Sequence, residues 1–166
     1  MDSSHAMREA FIMRFGGVYE HSPWVAEAVF DDGNVANDLS QLAQAMAAVV
    51  DGASRERQLA LLRAHPDLAG RLAVRGELTQ ASTDEQKSAG LDQCSREELE
   101  RFQTLNTEYT DKFGFPFILA VSGKNRTQIL ENFEARLGNS PEQEFATALG
   151  EVHKIARIRL EKLAKE

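Results

Sequence analysis

The stretch SREELERFQTLNTEYTDKFG, from Ser95 to Gly114, decides the fold. Leu99, Phe102, Asn106, Tyr109 and Phe113 recur at steps of three, four, three and four, which places them on one face of an α-helix. Ser95 followed three residues later by Glu98 matches a capping box, in which each side chain satisfies the other residue's amide. Gly114 closes the stretch where a left-handed residue is expected. A signal with matching start, stripe and stop predicts a helix over about 96–113.

The same reading extends outward along the chain. Ser22-Pro23 before Trp24 to Val29 reads as an N-cap followed by a first-turn proline, and Asp31 to Asn34 ends that helix. Leu39, Leu42, Met46 and Val50 predict a second, stopped at Asp51-Gly52. A third starts at Ser54 and ends at His65, because Pro66 disfavours helical geometry in its predecessor. Residues 66–81 read as a short turn over Leu68–Leu72 and a loop around Gly76, before a second capping-box match from Ser82 to Glu85. Phe115 to Val121 is the one β-looking run, closed by Ser122 to Asn125. Helices follow over Thr127–Leu137 and from Ser140, whose Pro141 and Gln143 open a last helix reaching about residue 164. Met1 to Met7 read as an expression remnant or a disordered N-terminus, leaving 8–166 as one domain.

Composition agrees. Alanine and leucine total 39 of the 166 residues against 14 valines and isoleucines, and glycine and proline are only 15. The expected fold is all-α: a single-domain bundle of about seven or eight helices with one short extended segment near 116–121. The net charge of −7 argues against a general nucleic-acid binder, which needs a basic face. No apolar run approaches the roughly 18 residues of a membrane helix, and no secretory signal opens the chain. The single cysteine, Cys94, excludes an internal disulfide and a cysteine-based metal cluster, and fits a reducing cytoplasm.

Three places break the helical logic. On the last helix Leu149, Val152, Ala156 and Leu163 share a face, and Arg159 falls near its centre while Arg157 points the other way. A guanidinium in mid-stripe must be ion-paired, snorkelled or bound to an anion. His65 sits at a helix end cut by Pro66; it is either a C-terminal capping histidine beside Asp67 or a general acid/base. His5, His21 and His153 share no ligand spacing with it, so no metal site is expected. The Ser82 to Gln86 segment is either a plain cap or an anion site using helix-start amides, with Glu85 placed to pair with a histidine. Asn106 on the first stripe reads as a buried hydrogen-bonding residue.

Together these blocks resemble a known family. FGGVYEHSPWV from Phe15, LRAHPDLAG from Leu62, LTQASTDEQ from Leu78 with Ser88 to Leu91, Tyr109 to Ile118, and EVHKIARIRL from Glu151 are similar in sequence and order to 2-oxo-4-hydroxy-4-carboxy-5-ureidoimidazoline (OHCU) decarboxylases of urate degradation. The resemblance runs from about Phe15 to Leu163. It implies an all-helical, cofactor-free homodimer that makes (S)-allantoin from a small anionic ureidoimidazoline, in keeping with the cytoplasmic setting and the lack of metal, nucleic-acid or membrane partners read above from the residues. It implies His65 as catalytic histidine with Glu85 as its partner. Pro66, Ser82, Thr83, Asp84 and Gln86 would then line the substrate, with Phe117, Ile118, Leu119, Ala120 and Val121 contributing partly through backbone groups, and Arg159 as the arginine of the final block. An unpaired extended strip at 117–121 would leave backbone donors and acceptors for a ureido group. The alternatives are a non-catalytic helical interaction module, with His65 and Arg159 in structural pairs, or another cofactor-free lyase or hydrolase acting on ureido compounds.

Overall fold

All regular structure among the described residues (3–33, 38–69 and 78–165 of this computed structural model) is helical. The elements are α1 (Ser3–Phe15), α2 (Trp24–Asp31), α3 (Leu39–Asp51), α4 (Arg55–Arg63), α5 (Gln80–Ser88), a 3-10 turn (Leu91–Gln93), α6 (Arg96–Phe113), α7 (Arg126–Leu137) and α8 (Pro141–Ala164). The all-α expectation is therefore met. The expected turn over Leu68–Leu72 and the loop around Gly76 fall largely outside the described residues, as does Asn34.

Where the chemistry of a boundary is complete in the sequence, the boundary falls as expected. Ser95 N–H donates to Glu98 Oε1 at 3.0 Å and Glu98 N–H to Ser95 Oγ at 3.1 Å, so the capping box of α6 forms on both sides. Gly114 ends α6 with φ +82°, a conformation that a side chain disfavours. Ser140 and Gln143 open α8 in the same reciprocal way, at 3.0 and 3.2 Å.

Three boundaries differ from expectation. The N-cap of α2 is Pro23, because the Ser22 hydroxyl is turned back to donate to Glu20 C=O at 3.0 Å. Helix α4 ends at Arg63, leaving His65 two residues beyond it in a non-helical turn. Helix α5 starts three residues early: Thr79 is the N-cap, its hydroxyl accepting from Ser82 N–H at 3.3 Å. The Ser82 to Glu85 capping box consequently does not form, since Ser82 is already inside the helix. Helix α1 begins at Ser3, within the stretch 1–7 that sequence alone sets aside.

The chain divides into two compact units, residues 1–64 with 153–166, and residues 65–152. In the first, Val25, Ala26 and Val29 of α2 and Leu42, Met46 and Val50 of α3 are buried, as are Ala156 and Leu160 of α8. Arg8 grips Asp31 through two bonds of 2.7 and 3.0 Å, tying α1 to α2. The core of the second is aromatic. Tyr109 sits edge-on to Phe117 and Phe133, whose rings stack 3.9 Å apart at an interplanar angle of 10°.

Replacing Thr79 by alanine is expected to cost about 1 kcal/mol in urea unfolding, while Thr79→Ser retains most of it, since serine keeps the capping oxygen. Equal stability of all three proteins would place the start of α5 elsewhere.

Candidate active site

His65 is buried and opens a turn that packs against α5 and α6. Its far end is Ala69, which is buried and holds φ at +49°, a conformation an L-residue with a Cβ adopts only at a cost of about 1–2 kcal/mol. Gln86 offsets that cost from α5. Its Oε1 accepts from Ala69 N–H at 3.1 Å and its Nε2 donates to Asp67 C=O at 3.3 Å. From α6, Asn106 Nδ2 donates to Leu68 C=O at 3.0 Å, which bears out its reading as a buried hydrogen-bonding residue. Three consecutive residues after Pro66 are thereby fixed by side chains, so the backbone that carries His65 has little freedom left.

Helix α5 presents its residues unequally. Ser82 and Gln86, four apart, are buried on one face, and Glu85 is half-buried beside them. Thr83 and Asp84 are exposed, and Asp84 accepts from Gln80 Nε2 at 2.8 Å. The amides of this segment are committed: Ser82 N–H to Thr79 Oγ1 and Thr83 N–H to Thr79 C=O at 2.9 Å. What α5 offers toward a ligand is therefore side chains rather than the open amides expected of a helix start at Ser82.

Phe117 to Val121 is buried, non-helical and without a partner strand among the described residues. It is nevertheless not a bare strip of donors and acceptors. Arg136 Nη1 donates to Ile118 C=O at 2.6 Å, Ala120 N–H donates to Glu151 Oε1 at 3.2 Å, and Val121 C=O accepts from Lys124 N–H at 3.0 Å. Arg136 is itself buried against Glu144, with Nη2 to Oε2 at 2.8 Å and Nε to Oε2 at 2.9 Å. Tyr109 donates its hydroxyl to the same carboxylate, and Asn139 Nδ2 adds a bond of 2.8 Å. Burial by itself would raise the Glu144 pKa; the bonds from Arg136, Tyr109 and Asn139 outweigh it and hold the carboxyl below its ordinary value. The Tyr109 phenol is pushed up, by burial first and by its bond to Glu144 second.

Arg159 belongs to the other unit. It is buried, as its place on the apolar stripe requires, whereas Arg157 is half-buried and reaches Glu161 at 3.2 Å. Arg159 Nη2 meets the buried Glu20 carboxylate at 2.8 Å, and Nη1 donates to Gly17 and Val18 C=O at 3.3 and 3.4 Å. The residue after Glu20, His21, has φ +51°, so the loop gripped by Arg159 also ends on a strained residue. Tyr19 in that loop bonds His153 Nδ1 at 2.8 Å, and His153 Nε2 bonds Asp51 at 2.9 Å.

A cavity of about 680 Å³ opens along α6 between Asp67, Glu100, Asn106 and the threonines at 104, 107 and 110. Hydroxyls, amides and carboxylates line it with no cation among the described lining residues, which does not suit an anion. No group of three or more His, Cys, Asp or Glu among the described residues could hold a metal ion.

Sequence reasoning passed over Arg136, Glu144 and Glu151. Arg136 was within reach: Ile129, Phe133 and Arg136 share one face of α7, the same mid-stripe signature that singled out Arg159.

Comparison with known proteins gives this arrangement its context. The OHCU decarboxylase family model matches residues 4–161. The chain belongs to that family. A 2-oxo-4-hydroxy-4-carboxy-5-ureidoimidazoline decarboxylase of Haloferax volcanii is 48% identical over 152 residues, covering 92% of this chain and 88% of that protein. The uric acid degradation bifunctional protein of Bacillus subtilis is 41% identical over 91% of this chain, which corresponds to 30% of that protein. The crystal structure of an (S)-allantoin synthase superposes with a TM-score of 0.72 at 40% identity, covering 98% of this chain and 51% of that one; the chain thus spans about half of it. As a member of the OHCU decarboxylase family, the chain carries its buried His65 turn and its aromatic core inside the matched region.

The Glu144 pair fixes a pH dependence. A carboxyl whose folded pKa lies below its unfolded value contributes stability above the unfolded value, near 4.3, and loses it as pH falls through the folded one. Thermal melting is expected to be level near neutrality and to drop on acidification. Glu144→Gln, which leaves the Arg136 charge buried and uncompensated at a cost of about 3–5 kcal/mol, should flatten that acid limb. An unchanged acid limb in the variant would assign it to other carboxylates.

Proposed function

We propose that this chain removes CO₂ from OHCU to give (S)-allantoin in the breakdown of urate, with His65 as general acid/base and Glu85 as the residue that orients it. The observation that carries the reading is the 48% identity, over nine-tenths of the chain, to a decarboxylase of that name. Its residue-level support is the His65 turn, clamped through Gln86 to the helix that holds Ser82 and Glu85.

The substrate bears hydroxyl and carboxylate on a carbon next to a ring imine. When the carbon–carboxylate bond breaks, its electron pair forms a double bond to the neighbouring carbon, and the imine nitrogen takes up the displaced pair with a proton. The enediamine-like intermediate then gains a proton at the carbon bearing the ureido group while the hydroxyl gives one up and becomes the ketone of allantoin. One proton replaces one CO₂, and the electron sink is the substrate's own, so no cofactor is required for it. A histidine fixed by its backbone on one side of a closed site would deliver protons to one face only, which is what a single enantiomer demands.

The anion needs local positive charge in a chain of net charge −7. Arg159 is proposed to supply it from its fork, with Glu20 holding the guanidinium in place. Pro66, Ser82, Gln86 and the Phe117 to Val121 strip are proposed as substrate contacts, with Thr83 and Asp84 at the exposed edge of α5. Among the described residues no helix is long and apolar enough to cross a membrane. A cofactor-free homodimer in the cytoplasm completes the proposal; light scattering at micromolar concentration tests the dimer.

With freshly generated OHCU, followed by circular dichroism at the allantoin bands, the protein should accelerate formation of one enantiomer. His65→Ala should lower kcat about 10²–10⁴-fold, the range of a lost general acid/base; a wild-type rate in that variant ends the assignment. Arg159→Lys keeps a cation for Glu20 but loses the fork, so KM should rise with kcat little changed. An unaltered KM in a normally folded Arg159→Lys protein rejects the anion role.

A further inference from the structure

We infer that Arg136 and Glu151 are positioning residues that determine which backbone groups of the Phe117 to Val121 strip face the substrate. The inference rests on the proposed reading of that strip as a substrate contact and assigns roles to two side chains that act through the backbone of the strip.

The geometry carries it. In an extended chain the N–H and C=O of one residue share an edge, and those of the next residue face the opposite edge. Residues 117–121 are non-helical and none has positive φ. Arg136 takes Ile118 C=O and Glu151 takes Ala120 N–H, two residues of the same parity, so both side chains hold one edge. Leu119 then presents its N–H and C=O on the other. Register is locked at a third point: the Arg136 guanidinium lies 4.4 Å from the centre of the Phe117 ring, which also stacks on Phe133 and meets Tyr109 edge-on.

Both grips are charged and buried, with Arg136 8% and Glu151 6% exposed. A neutral donor or acceptor would satisfy one backbone group at lower desolvation cost. A charged one binds the backbone group more strongly, and so opposes slippage by one residue, which would turn Leu119 toward the helices and present Ile118 and Ala120 instead. Selectivity for a ureido group, which needs a donor and an acceptor at fixed separation, depends on that register.

The test uses Glu151→Leu, which removes the acceptor at similar volume, and Glu151→Gln, which keeps one. Arg136→Lys serves as a second variant that retains a cation beside Glu144. In ¹⁵N-labelled wild-type protein, (S)-allantoin should shift amide resonances of Phe117 to Val121; if none moves, the strip is no substrate contact and the inference falls with that reading. If they move, Glu151→Leu and Arg136→Lys should bind (S)-allantoin at least tenfold more weakly and raise KM for OHCU about tenfold. Their kcat should stay within about twofold, and Glu151→Gln should restore both constants. Wild-type affinity and KM in Glu151→Leu would overturn the positioning role while leaving the strip reading intact, as would a loss of melting temperature with KM unmoved.

Discussion

The buried pair between Arg136 and Glu144 is the interaction on which the second unit depends. It gathers α6 through Tyr109, α7 through Arg136 and α8 through Glu144, and it holds the buried non-helical segment from Phe117 to Val121 by Ile118 C=O. A segment of five buried residues without a partner strand has to place its polar backbone somewhere. Here the answer is side-chain charge: helices donate and accept where a neighbouring strand would have done so in a sheet. That solution lets an all-α unit contain a stretch with strand-like composition, FPFILAV, without building a sheet.

The first unit uses the same device at a different place. Arg159 holds two carbonyls of the 17–20 loop and the Glu20 carboxylate, much as Arg136 holds a carbonyl and Glu144. In both, the arginine sits mid-stripe on a helix, its acidic partner is buried, and an irregular segment is fixed as a result. Replacing either pair by apolar residues of similar volume would remove the desolvation cost, yet would release the segment. The persistence of charge in these cores is therefore understandable from what it orders rather than from what it adds to stability.

This explains how much was legible in the sequence. Helix α6 was legible at both ends because each boundary is written within a few residues: Ser95 with Glu98, and Gly114. The start of α5 was misplaced because two hydroxyls, Thr79 and Ser82, stand three apart and either can cap; burial of Ser82 decides between them, and burial is not local information. Ser22 failed as a cap for a similar reason, its hydroxyl being drawn to Glu20 C=O, next to the residue that Arg159 organises. Arg159 was found by its stripe, and Arg136 was equally findable. Glu144 and Glu151 were not, since their partners are Arg136 and a backbone amide 31 residues away in the chain. The His65 turn was legible as a break at Pro66, but the clamp by Gln86 and Asn106 needed three dimensions.

The two tyrosines happen to divide between the two units, Tyr19 in one and Tyr109 in the other, and Trp24 lies in the unit of Tyr19. Both phenols are buried and both are pushed up in pKa, Tyr19 by burial and the Asp51 charge. Each unit thus carries its own optical label. Indole fluorescence senses only the helices around Trp24, whose ring stacks under the Arg57 guanidinium at 4.8 Å. Tyrosinate absorbance in mild alkali stays silent while both units are folded and rises in two separable halves if they open at different conditions.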